Sequence, residues 1–185
     1  MRIIGGAFKG KKLFLPSDKM TRPLKDLVKE SIFNLIKHSK KININIEGSK
    51  ILDLFAGSGS FGLECLSRSA SKIVFFENYP QALKVLEKNI SLFSNDKCEI
   101  YNSNCFKFLS SDNVLKDKFD IIFLDPPYKE LKINEIIENI LGRNLLSNNG
   151  FIIVHRHKKD TIKITQKLKV FETRLYGISK VYFGN

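Results

Sequence analysis

The sequence has few acidic residues, few cysteines and no long apolar segment, and each shortage excludes a class of protein. No apolar run approaches the roughly 20 residues that cross a bilayer, and the N-terminus, MRIIGGAFKG, has no hydrophobic signal-peptide segment. We therefore expect a cytoplasmic protein without a membrane partner. The three cysteines, Cys65, Cys98 and Cys105, are scattered and include no C-x-x-C pair, which argues against a disulfide framework and against a structural metal site.

The shortage of acids is most pronounced at the N-terminus. The chain has 31 Lys and Arg residues against 19 Asp and Glu residues, a net charge of +12. Residues 1–41 contain eleven of the basic residues and three of the acids, and so carry +8 of that charge. Such an excess is typical of a segment that binds nucleic acid. The alternative is a solvated surface in a sequence rich in Lys, Asn and Ile.

The length of 185 residues predicts a single domain. Residues 1–41 are predicted to form a basic arm, as a small hairpin or an extended segment, and a helix, and residues 50–185 the main α/β core. In the helix, Pro23 suits the first turn. Its apolar stripe is predicted to contain Leu24, Leu27, Val28, Ile32, Leu35 and Ile36, and its polar face Lys25, Lys29 and Glu30.

From residue 50 onward, short apolar runs alternate with helical stretches. Strands are predicted at 50–55, 72–77, 98–101, 119–125 and 151–155, and helices near 60–69, 79–93, 105–111 and 130–142. This alternation is typical of a parallel sheet covered on both faces. Two β-rich stretches around Gly177 predict a closing antiparallel hairpin.

A glycine-rich turn follows the first predicted strand, in DLFAGSGSFG at residues 53–62. Gly57 and Gly59 permit a tight turn and a close approach of the backbone to a ligand. The helix that begins near Ser60 points its N–H groups toward that ligand. In an open parallel sheet, ligands bind beyond the carboxyl ends of the strands, so the sequence predicts a cofactor site here.

Two kinds of cofactor are compatible with this turn. Gly57, Gly59 and Gly62 satisfy G-x-G-x-x-G, and Glu77 lies near the spacing of a ribose-binding carboxylate, as in nicotinamide enzymes. Asp53 argues against a dinucleotide because its charge would repel a pyrophosphate, whereas a cofactor with a sulfonium and an ammonium tolerates it. S-adenosylmethionine is such a cofactor, and Glu77 has two oxygens for the two ribose hydroxyls.

The stretch FDIIFLDPPYKE, residues 119–130, ends the fourth predicted strand on an acid and two prolines. Because proline fixes φ and donates no hydrogen bond, the carbonyl oxygens of Asp125 and Pro126 keep a preset orientation. Acceptors of this kind draw the planar amine of a nucleobase toward tetrahedral geometry, and Tyr128 offers a ring for stacking. The pattern predicts methyl transfer to an exocyclic amine, promoted mainly by positioning.

Five stretches carry a family resemblance, in chain order and over nearly the whole sequence: RIIGGAFKGKKL, RPLKDLVKESIFN, LDLFAGSGSFGLECLSR, NSNCFKFL and FDIIFLDPPY. With them the chain resembles the RsmD-type 16S ribosomal RNA guanine-N2 methyltransferases. The resemblance implies a Rossmann-like class I fold, with a mostly parallel seven-stranded sheet and a small basic N-terminal extension. It also implies S-adenosylmethionine as the donor and 16S rRNA, or the small ribosomal subunit, as the partner of a monomeric enzyme.

The resemblance assigns site residues as well. The methionine end of the cofactor would be lined by Asp53, Ala56, Gly57 and Gly59, the ribose by Glu77 and Asn78, and the adenine by Asn104 and Cys105. The target guanine would be held by Asp125, Pro126, Pro127 and Tyr128. The stretch TRPLKD, residues 21–26, would close over the cofactor. RNA-binding residues would be Arg2, Lys9, Lys11, Lys12 and Arg22.

Two positions depart from the family pattern. Many methyltransferases have Asp where this chain has Asn104, so an adenine contact would use an amide oxygen. After the fifth strand an acid is expected, whereas the chain has His155, Arg156 and His157. The two histidines would project to one side of a strand, and we expect them to face the surface or RNA because no third metal ligand accompanies them.

Other functions remain compatible with these motifs. A DNA or RNA adenine-N6 methyltransferase uses the same DPPY chemistry, although 185 residues leave little room for the additional region by which DNA enzymes recognise their target. A non-catalytic RNA-binding protein would be expected to lose DPPY or the glycine turn, and both are intact.

Overall fold

The computed structural model describes residues 1–18, 24–93, 96–111, 113 and 115–185. In chain order its elements are α1 (Asp26–His38), β1 (Lys50–Asp53), α2 (Ser60–Ser67), β2 (Lys72–Phe76), α3 (Pro80–Ile90), β3 (Cys98–Tyr101), α4 (Cys105–Ser110), β4 (Phe119–Leu124), α5 (Ile133–Gly142), β5 (Leu146–His157), β6 (Val170–Tyr176) and β7 (Ser179–Gly184). Among these helices, none is long and apolar enough to span a bilayer.

The seven strands form one sheet in the order β3-β2-β1-β4-β5-β7-β6. The five strands from β3 to β5 pair in parallel, whereas β7 is antiparallel to both of its neighbours. The strand order reverses between the neighbouring strands β1 and β4, which is the kind of point where open α/β sheets bind ligands. The predicted C-terminal hairpin is confirmed, with Gly177 at a positive φ of 59° in its turn.

Helices cover both faces of the sheet. The cluster of buried side chains on one face joins α1, α2 and α3 to the sheet, and the cluster on the other joins α4 and α5. Alternate residues of β4 point to opposite faces, so Phe123 belongs to the first cluster and Ile122 to the second. On the first face, the Phe61 ring stacks on Phe123 with 4.0 Å between the ring centroids. Strands that are apolar on both sides explain the continuous apolar runs of the sequence.

Helix α1 differs from the predicted pattern at two positions. Leu27, placed on the apolar stripe, is 67% exposed, and Lys29, placed on the polar face, is fully buried. The Lys29 ammonium lies 3.6 Å from the buried Glu64 carboxylate and donates to the Arg2 carbonyl at 2.6 Å. Burial lowers the pKa of Lys29, and the carboxylate of Glu64 opposes that shift. The prediction failed because the partner acid comes from α2. Pro23 lies outside the described residues.

The first thirteen residues form a small hairpin, one of the two conformations that the sequence left open. Arg2 and Lys12 make an antiparallel bridge, and the Ile3 N–H donates to the Lys11 carbonyl at 2.9 Å. The Ala7 N–H donates to the carbonyl of Ser67 at 2.7 Å. Because Ser67 ends α2, this contact lies about 10 Å along the helix axis from the glycine turn. The hairpin therefore packs away from the edge of the sheet that carries the predicted site.

Candidate active site

Three acids lie at the carboxyl ends of adjacent central strands. In the sheet, Asp53 at the end of β1 pairs with Phe75 of β2 and Phe123 of β4. Glu77 and Asp125 each follow their pairing residue by two positions, so all three acids meet at one edge of the sheet. Both Glu77 and Asp125 raise the pKa of Asp53, as expected for carboxylates that share one site. The predicted cofactor turn and the predicted catalytic corner thus open on the same edge.

The glycine turn between β1 and α2 has the backbone that the sequence predicts. Gly57 and Gly59 have positive φ values of 55° and 79°, a region that favours glycine. A Cβ on Gly59 would lie 2.5 Å from Leu86, and one on Gly62 would lie 2.3 Å from the Phe75 ring. The three glycines therefore allow the tight turn and the close packing of α2 on the sheet. Ala56, in the same turn, is buried.

Asp53 is a buried acid with an unusual environment. It is 1% exposed, and its Oδ2 accepts a hydrogen bond from the Gly62 N–H at 3.2 Å. Its Oδ1 is buried without a hydrogen-bond partner among the residues that the structure describes. Burial raises its pKa to about 8; the Gly62 N–H opposes that shift, and the nearby carboxylates of Asp125 and Glu77 add to it. A buried acceptor in a negative surrounding fits a cationic group such as the ammonium of S-adenosylmethionine.

Glu77 joins the glycine turn to the loop after β2. One carboxylate oxygen accepts from the Gly57 N–H at 2.7 Å, and the other accepts from the N–H groups of Asn78 and Tyr79 at 2.9 and 2.8 Å. These bonds fix the half-buried carboxylate at the edge of the sheet. Because a carboxylate has about four acceptor positions, one remains for a ribose hydroxyl. The side chain of Asn78 is exposed beside it.

The residues predicted to contact adenine lie at the start of α4. Asn104 is the N-cap of this helix, and its side-chain oxygen accepts from the Lys107 N–H at 3.2 Å. The amide oxygen that the sequence assigned to adenine is therefore also a helix cap. Cys105 is buried, and burial raises the pKa of its thiol to about 12. Neither the capping role of Asn104 nor the burial of Cys105 is visible from the motif alone.

The corner formed by Asp125, Pro126, Pro127 and Tyr128 continues directly from β4. The carboxylate of Asp125 lies 2.8 Å from Nδ1 of His155. Pro126 is buried, Pro127 is exposed, and Tyr128 is half-buried. The Tyr128 ring lies edge-on to two histidines of β5, with 6.3 Å to the His155 ring and 4.9 Å to the His157 ring.

The prediction that His155 faces the surface or RNA is wrong. His155 is 2% exposed and contacts the catalytic corner. The two histidines do share one side of β5, as the strand period requires. In place of the expected acid, the chain thus has an imidazole that bonds the acid of DPPY. The sequence signal was limited to the position of His155 at the end of the fifth predicted strand; that this strand lies next to β4 was decided by the fold.

Arg156 is a residue of the site that the motifs did not reveal. Its guanidinium is buried, with 2% of the residue exposed, and it bonds the carboxylate of Asp160. It also donates to the carbonyl oxygens of Pro127 at 3.3 Å, Tyr128 at 3.2 Å and Glu130 at 3.0 Å. One side chain therefore holds the backbone that follows the two prolines. The planar fork of arginine can do this, whereas a lysine ammonium cannot.

Replacing Arg156 with methionine is expected to loosen this corner. The change removes the Arg156 donor from the carbonyls of Tyr128 and Glu130, and one of the donors from the Pro127 carbonyl and the largely buried Asp160 carboxylate, at a cost of about 2–3 kcal/mol of the free energy of unfolding. For a chain of this size the melting temperature should fall by about 5–10 °C. Turnover below that temperature should fall about tenfold because the acceptors move. Calorimetry and single-turnover methyl transfer measure the two effects.

Arg143 provides a matched control for this substitution. Its guanidinium also donates to loop carbonyls, those of Ser111 and Asn113, but it follows α5 at the opposite edge of the sheet. Arg143→Met should lower the melting temperature and leave turnover unchanged. Equal turnover in the two variants would show that Arg156 has no role in the catalytic corner.

The predicted RNA-binding residues differ in how far their side chains are free to contact RNA. Arg2, Lys9 and Lys12 are exposed on the N-terminal hairpin. The Lys11 ammonium donates to the Leu92 carbonyl and lies 4.7 Å from the centre of the Phe93 ring, so it holds the hairpin against the end of α3. Arg22 and residues 21–23 of the TRPLKD stretch lie outside the described residues.

A glycine turn beside an acidic DPPY corner, on a sheet with this strand order, defines an S-adenosylmethionine-dependent methyltransferase of the Rossmann-like class, and comparison with known proteins agrees. The family model described as "Conserved hypothetical protein 95" matches residues 1–185. The chain therefore belongs to this family, which is that of the RsmD-type enzymes.

Individual relatives cover nearly the whole chain. The Bacillus subtilis protein YlbH is 33% identical over 183 residues, which are 98% of this chain and 96% of YlbH. "Ribosomal RNA small subunit methyltransferase D" of Haemophilus influenzae is 32% identical, over 96% of this chain and 90% of its own. The solved structure of the Escherichia coli protein yhhF superposes with a TM-score of 0.83 at 27% identity, and covers 100% of this chain and 96% of yhhF. The fold and the family that the sequence predicted are confirmed.

Proposed function

We propose that this enzyme methylates the exocyclic N2 of one guanine in the 16S ribosomal RNA of the small subunit. The observation that carries the proposal is the meeting of Asp53 and Asp125 at one edge of the sheet, where a cofactor and a nucleobase amine can face each other. The name "Ribosomal RNA small subunit methyltransferase D" of the Haemophilus influenzae relative supports this choice of RNA.

The residues of the chain divide into two groups around the reacting amine. S-adenosylmethionine supplies an electrophilic methyl group, and Asp53, the glycine turn and Glu77 would hold it. The Asp125 carboxylate and the Pro126 carbonyl would accept the N–H groups of the guanine amine, which localises its lone pair. Tyr128 would stack on the base, a contact generally worth about 1–3 kcal/mol.

Two further residues would preserve the positions of these acceptors. His155 bonds the Asp125 carboxylate at 2.8 Å, and Arg156 holds the backbone of the next residues. As the amine gains the methyl group it would become cationic, and the Asp125 carboxylate, which accepts one of its N–H groups, would take the proton that it then releases. The negative surrounding formed by Asp125, Asp53 and Glu77 would stabilise that positive charge.

Transfer of a labelled methyl group tests the proposal. The enzyme is incubated with naked 16S rRNA, with small subunits from an unmodified strain, with 23S rRNA and with duplex DNA, and each product is digested to nucleosides. We expect N2-methylguanosine from 16S rRNA or from small subunits. Label in N6-methyladenosine, or transfer to DNA or 23S rRNA in preference to the small-subunit substrates, would refute it.

A further inference from the structure

A groove lies between α1 and the edge strand β6. Its volume is about 730 Å³, within the roughly 300–1,000 Å³ typical of ligand sites. Its polar lining includes Ser31, Asn34 and His38 of α1 and Thr173, Arg174 and Tyr176 of β6. None of these six residues belongs to the active site described above. The groove is therefore a separate surface feature.

Strand register places one end of this groove beside the catalytic corner. Tyr176, the last residue of β6, pairs with Ser179, and Ser179 pairs with His157. Two strand spacings separate Tyr176 from His157, about 10 Å. The His157 ring lies 4.9 Å from the Tyr128 ring of the DPPY corner. A bound strand that leaves the DPPY corner in the direction of β6 therefore reaches the groove at its Tyr176 end.

The borders of the groove are basic. Arg174 lines the groove, and Lys41 contacts the start of β6, against Glu172 alone, which leaves a charge of +1. Glu172 contacts Lys41 at 3.0 Å and Arg174 at 3.2 Å, so two cations share one acid. Tyr176 adds a half-buried aromatic ring at the end near the corner. Cations beside an aromatic ring suit single-stranded nucleic acid.

We propose that the groove between α1 and β6 binds the RNA segment next to the target guanine. The backbone phosphates would lie against Arg174 and Lys41, and a flanking base would lie against Tyr176. This inference rests on the proposed function, and it assigns the contact with the neighbouring nucleotides to this groove. The N-terminal hairpin, which packs at the far end of α2, would contact more distant RNA.

Asn34→Asp tests the groove with a minimal change. Asn34 is exposed in the middle of α1, and the substitution adds a negative charge without a change in shape. Arg174→Gln is the second variant, and it removes a cation from the edge strand. Each should raise KM for 16S rRNA about fivefold with kcat and cofactor affinity unchanged, and should lower the slope of log affinity against log salt by about 0.7.

Two further variants calibrate the experiment. Asn149→Asp places the same change on an exposed residue of β5 near the opposite edge of the sheet and should match the wild type. The double variant Lys9→Gln/Lys12→Gln removes two cations from the hairpin. It should lower the salt slope, as expected for the loss of phosphate contacts outside the groove. Circular dichroism of each variant tests whether the fold is kept.

The possible outcomes separate the groove from the proposed function. If the wild type methylates 16S rRNA and both groove variants have its KM and salt slope, the groove proposal is wrong and the function stands. If the variants bind naked 16S rRNA normally and lose affinity only for assembled subunits, the groove binds a protein at the β6 edge, which also overturns it. If the wild type methylates no RNA, the function fails, and filter binding of naked 16S rRNA still decides the groove.

Discussion

Replacing Asp125 with alanine is expected to lower the turnover number for methyl transfer by about 100- to 1,000-fold, as does the loss of one pre-positioned polar group in other enzymes. The carboxylate accepts from the target amine and forms part of the negative surrounding in which that amine becomes cationic. Affinity for S-adenosylmethionine should change much less than turnover, because Asp125 does not belong to the cofactor turn and acts on it only through the pKa of Asp53. Single-turnover kinetics and calorimetric titration measure the two quantities.

Asparagine at the same position is the matched variant. Asp125→Asn keeps an acceptor oxygen and removes the charge, so its turnover should lie between that of the alanine variant and that of the wild type. Full turnover by Asp125→Ala would show that the carboxylate takes no part in the reaction. The role assigned to the DPPY corner would then be wrong.

His155 should affect the same step more weakly. His155→Ala removes the 2.8 Å contact with Asp125, and turnover should fall about tenfold because the carboxylate is no longer held in place. His155→Asn should restore most of that loss, since its amide nitrogen occupies nearly the position of Nδ1. A purely structural role would predict equal turnover in the two variants once both are folded.

Asp53→Asn is expected to weaken cofactor binding by about 10- to 100-fold, the loss typical for hydrogen bonds to a charged group. Because the pKa of Asp53 is about 8 in the folded protein, the acid is largely protonated below that pH. A cationic ligand favours the carboxylate, so wild-type affinity should rise about tenfold from about pH 6 to about pH 7.5, with release of a proton on binding. Titration calorimetry in buffers of different ionisation enthalpy measures the affinity and the number of protons released.

The same shift has a consequence for stability. The pKa of Asp53 is raised, so between about pH 4 and about pH 8 the unfolded chain has lost a proton that the folded chain retains. The free energy of unfolding of the wild type should therefore decrease through this window as the pH rises. Asp53→Asn has no such proton, so its melting temperature relative to the wild type should increase from pH 4 to pH 8.

Asp120→Asn serves as the control for Asp53→Asn. Asp120 is an acid at the opposite edge of the sheet, where it accepts from the Lys50 N–H at 2.8 Å and from the Ser147 hydroxyl at 2.7 Å. Its substitution should leave cofactor affinity and the pH dependence of binding unchanged. A pH-independent affinity in the wild type would contradict the assignment of Asp53 to the cofactor's cation.

The boundaries of the strands show where sequence reasoning was limited. The strand at 98–101 was predicted as observed, because its apolar pattern ends in polar residues on both sides. The fifth strand was predicted at 151–155 but spans Leu146–His157. Its polar first part, LSNNG, reads as a turn, yet Leu146 pairs with Phe119 of β4. Pairing with a neighbouring strand decides such segments, and one segment by itself contains no information about its neighbour.

The sequence by itself determined most of the strands, the glycine turn and the DPPY corner. Each follows from local chemistry: apolar runs form strands, glycines permit positive φ, and prolines fix the backbone after Asp125. Such features need only residues that are close along the chain. The family was recognisable for the same reason, because its motifs are short contiguous stretches of the sequence.

Only the tertiary structure decided the partners of the charged side chains. Lys29 is buried because Glu64, 35 positions later, meets it, and His155 bonds Asp125 because β5 lies next to β4. Arg156 reaches the carbonyls after the two prolines for the same reason. Whether a charge is solvated or buried depends on groups that folding brings close from distant parts of the chain. That is why the residues holding the catalytic corner emerged only from the fold.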